Sequence, residues 1–386
     1  MTVSGDPSLG PSLTEGQRLL RDEVRRFCQD RILPGVAERD RTRTFPADIL
    51  AEMGEMGLLG MTVAEEYEGS GLNALDLVIV IEEIARVCPS VAVSLSVSNS
   101  VCCWPINRFG TEELKKRVLP DLASGSSLGG FALTEPGSGS DAASMQAVAV
   151  RDGDHWILNG EKAWITNAGA ADYYVAFART DPQAGHRGIS AFVVAASSDG
   201  LSVGSPEVKL GLRASLTAPL VFDSCRVPGA NLLGREGQGF KIALATLDHS
   251  RLGIAAQAVG IHQRALELAA EYAQHRVQFG RPIAEFQGVR FAIADMATRL
   301  EAARCLCRAA AAAEHSPQAG RLAAEAKLFA AEAANRACWD SLQIHGGNGF
   351  SEEYEIARLY RDVRVTTIYE GTSEMQRRVI ARHLLQ

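Results

Sequence analysis

The chain has 386 residues, 46% of them hydrophobic and 22% charged, with a formal net charge of −7. That length calls for two or three packed units, and the balance excludes a chain disordered beyond its first dozen residues. The mild acidity excludes a general attraction to nucleic acid or an anionic membrane, and leaves room for a local basic site facing a phosphorylated ligand.

The first residues, MTVSGDPSLGPSLT, lack a basic stretch followed by an apolar one, so no signal peptide is expected. Apolar runs such as Ala309–Ala313 are too short to span a bilayer. Residues 1–126 read as a helical unit. Ser12-Leu-Thr-Glu15 opens a segment with Leu19, Leu20, Val24 and Phe27 at helical spacing. Residues 73–87 and 91–109 continue it, and Thr111 is placed to accept orphan N–H groups at a further helix start. Residues 127–234 read as an antiparallel β unit. His155-Trp-Ile-Leu and Lys162-Ala-Trp-Ile-Thr flank Asn159-Gly160, the pattern of a hairpin. Residues 173–178, 190–194, 201–204 and 219–222 supply further strands. Residues 235–386 read as helical again, with a long segment from Gly237 to His275 and Pro282 near the first turn of the next helix. Alanine-rich segments at 291–314 and 319–344 permit the close packing of a four-helix bundle. The fold class expected is therefore α+β, multi-domain, in the order helical, β, helical.

Five motifs are placed to carry chemistry. Phe131-Ala-Leu-Thr-Glu-Pro-Gly-Ser-Gly-Ser140 is a glycine-rich loop whose N–H groups can hold polar ligand atoms, without the GxGxxG dinucleotide fingerprint. Trp164-Ile-Thr166 offers a large aromatic and a hydroxyl on one strand, suited to a flat heteroaromatic ring. Arg276-Val-Gln-Phe-Gly-Arg-Pro282, followed by Gln287, offers a guanidinium fork for phosphate oxygens. Gln343-Ile-His-Gly-Gly-Asn-Gly-Phe350 allows close backbone approach to a ligand. In Arg361–Gln376, Glu370 follows an apolar run and precedes a helix start, a setting that raises a carboxyl towards the range of a general base. The eight cysteines form no CxxC and read as free thiols of a reducing compartment. Cys305 and Cys307 lack a second ligand cluster, so no metal is expected.

The ordered set of motifs, from about residue 13 to 385, resembles the acyl-CoA dehydrogenase family. The stretches Leu133-Thr-Glu-Pro-Gly-Ser-Gly-Ser and Tyr369-Glu-Gly-Thr-Ser-Glu are nearest to its short-chain and branched-chain members. The resemblance implies FAD as cofactor, held by Phe131, Leu133, Thr134, Ser140, Trp164, Ile165, Thr166, Arg276, Gln278, Phe279, Gln287, Gln343, Ile344, Gly346, Gly347, Thr372 and Glu374, partly across a subunit interface. It implies an acyl-CoA substrate met by Ser140, Phe240, Asp248, Arg251, Tyr369 and Gly371, with Glu370 as the catalytic base. Isovaleryl-type members carry the base just before the arginine that is Arg251 here; that position is Ser250, which cannot serve. Glutaryl-type members carry an arginine near 91–95, where this chain has no charge, which favours an uncharged acyl chain. The resemblance further implies an electron-transferring flavoprotein as acceptor, a homotetramer and a cytoplasmic location. An acyl-CoA oxidase, a relative acting on non-CoA substrates, or a non-catalytic CoA-binding homologue of the same fold are the alternatives.

Overall fold

The computed structural model describes residues 12–385. The expectation about a leader falls on residues 1–11 and lies outside the described residues.

The first unit contains α1 (Glu15–Phe27), α2 (Val36–Thr42), α3 (Ala47–Glu55), α4 (Ala74–Val87), α5 (Pro89–Val97), α6 (Trp104–Phe109) and α7 (Glu112–Ser124). Its helices start where side chains satisfy orphan donors. The Thr14 hydroxyl accepts from Gln17 N at 3.2 Å while Thr14 N donates to Gln17 Oε1. Asn73 and Asp76 make the same reciprocal pair at α4, and Thr111 caps α7 through Leu114 N. Along α1 the apolar positions divide: Val24 is fully buried, Leu20 and Phe27 pack at the edge of the core, and Leu19 faces solvent. Between α5 and α6 the chain widens into a π-helical stretch, Ser98–Cys103.

The middle unit is an eight-stranded sheet of β1 (Gly129–Ala132), β2 (Val148–Asp152), β3 (His155–Thr166), β4 (Tyr173–Arg179), β5 (Ile189–Ala195), β6 (Leu201–Val203), β7 (Thr217–Pro228) and β8 (Leu232–Leu233), in the order β6-β7-β3-β2-β4-β5-β8. It is mostly antiparallel, but β1 joins β4 in parallel and β2 meets β4 in parallel at Val148 and Arg179. The expected hairpin at Asn159-Gly160 does not form. β3 runs straight through that dipeptide, and the register against β7 shifts there instead. The Asn159 side chain accepts from Ser224 N at 2.8 Å, so it stabilises a bulge rather than a reversal. The actual hairpin joins β2 to β3 at Gly153-Asp154, with Gly153 at φ 60°.

The last unit holds α8 (Gly239–His275), a two-stranded ribbon of β9 (Val277–Gln278) and β10 (Arg281–Pro282), then α9 (Gln287–Ala312), α10 (Ala319–His345), α11 (Glu355–Val363) and α12 (Ser373–Leu385). Pro282 therefore ends a ribbon strand and leads a short 3-10 turn, rather than opening a helix. Alanines at 323, 326, 330, 334 and 337 on α10 are buried and let α8, α9 and α10 approach closely, with α12 laid on α10. The first and last units share one core: Leu77 and Ile81 of α4 lie in the same cluster as Leu252 and Val259 of α8. At Gly260 a Cβ would sit 2.2 Å from Glu82 O, so the backbones of α4 and α8 touch and only glycine fits. Among the described residues no helix is long and apolar enough to cross a membrane, and no group of three or more His, Cys, Asp and Glu is placed to hold a metal ion.

Candidate active site

Glu370 sits in the turn between α11 and α12. It takes φ 50° and Gly371 takes φ 92°, so two successive residues are left-handed. A non-glycine residue in that region costs about 1–2 kcal/mol, and the turn persists because its carbonyls are held. The Gln376 amide, fully buried on α12, donates to Glu370 O at 3.2 Å and to Gly371 O at 2.8 Å. Lys327 Nζ on α10 donates to Gly371 O at 2.7 Å. Thr372 Oγ1 accepts from Met375 N and caps α12.

The Glu370 side chain is half-buried, and its Oε2 is sealed from water without a hydrogen-bond partner. Desolvation pushes the carboxyl up to about 7, against the opposing pull of the Ser250 hydroxyl, Lys327 and Arg251. Ser250 and Arg251 come from α8, where Arg251 is buried and donates to Asp248 Oδ1. The Tyr369 hydroxyl is bonded to Gln257, and its side chain packs, as Phe131 does, against the cluster of Val93, Val97, Val101 and Leu212. Of the predicted residues, Arg251 is thus brought to the Glu370 carboxylate, with Asp248 behind it as the partner of its guanidinium and Gly371 next in the turn.

A second group lies on the middle sheet. Trp164 is 60% exposed at φ 62°, in an irregularity of β3 between Lys162 and Ile165. Thr166 and Thr134 are half-buried, and Thr134 O accepts from Ala163 N at 2.8 Å, which ties the glycine-rich loop to β3. Phe131 meets Phe177 edge to face at 5.1 Å, and Leu133 is buried beside it. Ile165 is buried inside the sheet core, paired with Ala218 of β7, so its side chain does not face a ligand. Ser140 is exposed on the loop, and Phe240 is half-buried near His186.

The third group is remote from the first. Arg276 ends α8, roughly 37 Å along the helix axis from Arg251 at 1.5 Å per residue over 25 residues. Here Gln278, Phe279, Gln343 and Ile344 line a cavity of about 510 Å³ with Phe286 and Trp339. Phe279, at φ 53°, is 92% exposed. Gly346 and Gly347 have open space where a Cβ would stand, and Gln287 is exposed at the start of α9. Glu374 is exposed in the first turn of α12, and its carboxyl is lowered by its own backbone N–H and by Thr372.

Sequence reasoning missed Lys327 and Gln376. The signal for Lys327 was present: a lone lysine in an alanine stripe at helical spacing, a position that buries its charge.

Comparison with known proteins agrees with this geometry. Domain models of the acyl-CoA dehydrogenase N-terminal, middle and C-terminal domains match residues 14–126, 130–225 and 237–385. An acyl-CoA dehydrogenase of Bacillus subtilis is 49% identical over 374 residues, covering 97% of this chain and 99% of the relative. The mitochondrial short-chain specific acyl-CoA dehydrogenase of Mus musculus is 47% identical, covering 97% of this chain and 91% of the relative. The solved structure of butyryl-CoA dehydrogenase from Megasphaera elsdenii superposes with a TM-score of 0.96 at 42% identity, covering 98% of this chain and 100% of that one. With all three domains matched and relatives of nearly half identity along almost the whole chain, the protein belongs to the acyl-CoA dehydrogenase family of oxidoreductases.

Proposed function

We propose that the chain is an FAD-dependent dehydrogenase of short or branched, uncharged acyl-CoA thioesters, with Glu370 as the base. The observation that carries this reading is the Glu370 carboxylate: raised to about 7, with Oε2 buried and unpartnered in a turn whose Glu370 and Gly371 carbonyls are both held. A desolvated carboxyl with one oxygen left unpartnered is poised to take a proton.

The residues present fit a flavin dinucleotide. Trp164, Thr134 and Thr166 offer an aromatic face and hydroxyls for the ring, and in a neighbouring copy the glycines at 346 and 347 would leave room for its phosphate-bearing chain beside the Gln343–Ile344 cavity. When bound, the flavin accepts the β-hydrogen as hydride and passes the electrons to an electron-transferring flavoprotein. The chain's own part is acid–base and geometric. Glu370 removes the pro-R α-proton of the thioester. Its backbone N–H donates to the thioester carbonyl and stabilises the developing enolate. Closure of the substrate over the turn expels water, which raises the carboxyl's proton affinity further and strengthens that hydrogen bond. Asp248 and Arg251 meet the coenzyme A arm. The valines at 93, 97 and 101, packed with Leu212 and Tyr369, supply an uncharged wall suited to a short chain. Because the Arg276–Phe279 corner lies far from Glu370, we assign it to the flavin of a neighbouring copy in a homotetramer. Eight free thiols suit a reducing cytoplasm.

Anaerobic titration of the flavin-loaded protein with acyl-CoAs from C4 to C16, followed by flavin absorbance, tests the reading. Butyryl-CoA or isobutyryl-CoA should bleach the flavin most readily, and Glu370→Gln should abolish bleaching. Full bleaching in the Gln variant would sink the assignment of the base. Rapid peroxide formation in air would favour an oxidase.

A further inference from the structure

Lys327 is a lysine whose side chain is 0% exposed, set in α10 among Ala323, Ala324, Ala326, Ala330 and Ala331. A buried ammonium is costly to retain, and an apolar residue of equal length would fill the space without that cost. Its single hydrogen bond runs to the carbonyl of Gly371, one residue beyond the base. The same carbonyl accepts from Gln376, so two buried donors on two helices grip one atom of the strained turn.

We infer that Lys327 is a positioning residue for Glu370: its ammonium pins the Gly371 carbonyl and so fixes the left-handed turn that aims the carboxylate. The inference rests on the function proposed above. Charge acts alongside geometry. The ionisable groups facing Lys327 are Glu370 in the turn, Arg251 on α8, Glu374 on α12 and Glu332 on α10. Burial lowers the ammonium to about 8, with Glu370 the strongest opposing influence, so the lysine is charged at neutral pH and favours the ionised base. Arg251 is already paired with Asp248, whereas Lys327 has no carboxylate in contact and acts on Glu370 through space and through the Gly371 carbonyl.

The test uses flavin-loaded wild type, Lys327→Met, Lys327→Arg and Glu370→Gln. Anaerobic reduction by butyryl-CoA is followed in stopped flow from pH 5.5 to 9.5, and the Glu370 carboxyl is titrated by infrared difference against Glu370→Gln. Lys327→Met should reduce flavin about tenfold or more slowly at pH 6, with KM little changed, since a misaimed base loses rate rather than binding. Its acid limb and its infrared titration should both move to higher pH, about tenfold in proton affinity per unit. Lys327→Arg should restore the position of the acid limb. Met removes a buried charge, so this variant should melt at or above the wild-type temperature at pH 6, which separates a positioning effect from unfolding. If Lys327→Met is insoluble, Lys327→Gln carries the same comparison. Rates within twofold of wild type at every pH, with an unmoved infrared titration, overturn the inference. If Glu370→Gln itself still reduces flavin, the proposed function fails instead, whatever Lys327→Met does.

Discussion

Among the described residues two lysines are fully buried, burial lowers both to about 8, and they do opposite things with their surroundings. Lys162, in β3, donates to Glu135 Oε1 at 2.7 Å and to Leu133 O at 3.2 Å. Glu135 is itself buried and also accepts from the backbone N–H groups of Gln146 and Ala147, so the carboxylate is saturated. Lys327 touches a carbonyl instead, and the nearby Glu370 keeps an oxygen with no partner. The first pair spends its polarity on tying the glycine-rich loop to the sheet. The second leaves a carboxylate hungry for a proton. Burial of charge is common to both; satisfaction of hydrogen bonds is what separates scaffold from chemistry.

Substitutions can break that contrast. The largest effect belongs to Glu370→Gln, which should lower the rate of flavin reduction by at least ~10²–10⁴-fold in stopped flow while leaving the fold intact. Lys162→Ala should show the reverse emphasis. It strands a buried Glu135 carboxylate, and denaturant unfolding should register a loss of about 3–5 kcal/mol. Gly371→Ala lies between the two. An alanine at φ 92° is strained by about 1–2 kcal/mol, and its Cβ would stand 2.7 Å from Gln376 Nε2, displacing the amide that holds the turn. A melting shift together with a rate loss of about tenfold is expected, and a rate loss without any shift in melting would contradict this account of the turn. A last test sharpens the comparison by pH. The folded Glu370 carboxyl titrates near 7 and the unfolded one near the ordinary 4.5. Stability is therefore lost as pH rises from about 4.5 to 7, because the unfolded chain releases that proton first. Glu370→Gln lacks this loss, so its melting temperature should exceed the wild type's at pH 8 and match it at pH 4, as read by calorimetry.

The order of units and the helix starts were legible because they are local. Thr111 announces a helix through a side chain that caps the next turn, and that bond forms as read; the segments opening near Thr14 and Asn73 start on capping boxes of the same kind. The Asn159-Gly160 reading failed because the same two residues serve a bulge as well as a hairpin. The deciding partner, Ser224, lies 65 residues away in β7. Pro282 was misplaced for a related reason: the ribbon of β9 and β10 is too short to show a period. At the site, the local setting of Glu370 offered it as a candidate and the resemblance chose it, while the groups that act on its carboxyl, Ser250, Arg251 and Lys327, come from two other helices and left no local mark. Gln376 read as an ordinary helix residue, and nothing local marks an amide that reaches back to hold the two carbonyls before it.

The left-handed backbone at Glu370 narrows what evolution can place there. Glycine, asparagine and aspartate tolerate that region, and none of them carries a carboxylate on a two-carbon arm. A lineage that abandoned the reaction would gain stability by drifting to glycine or asparagine, because no turn-forming advantage retains glutamate. A relative that lacks a carboxylate at the position aligned with 370 must therefore carry one at the position of Ser250 if it is to keep a base, and the two positions read together, before any assay, sort working relatives from lapsed ones.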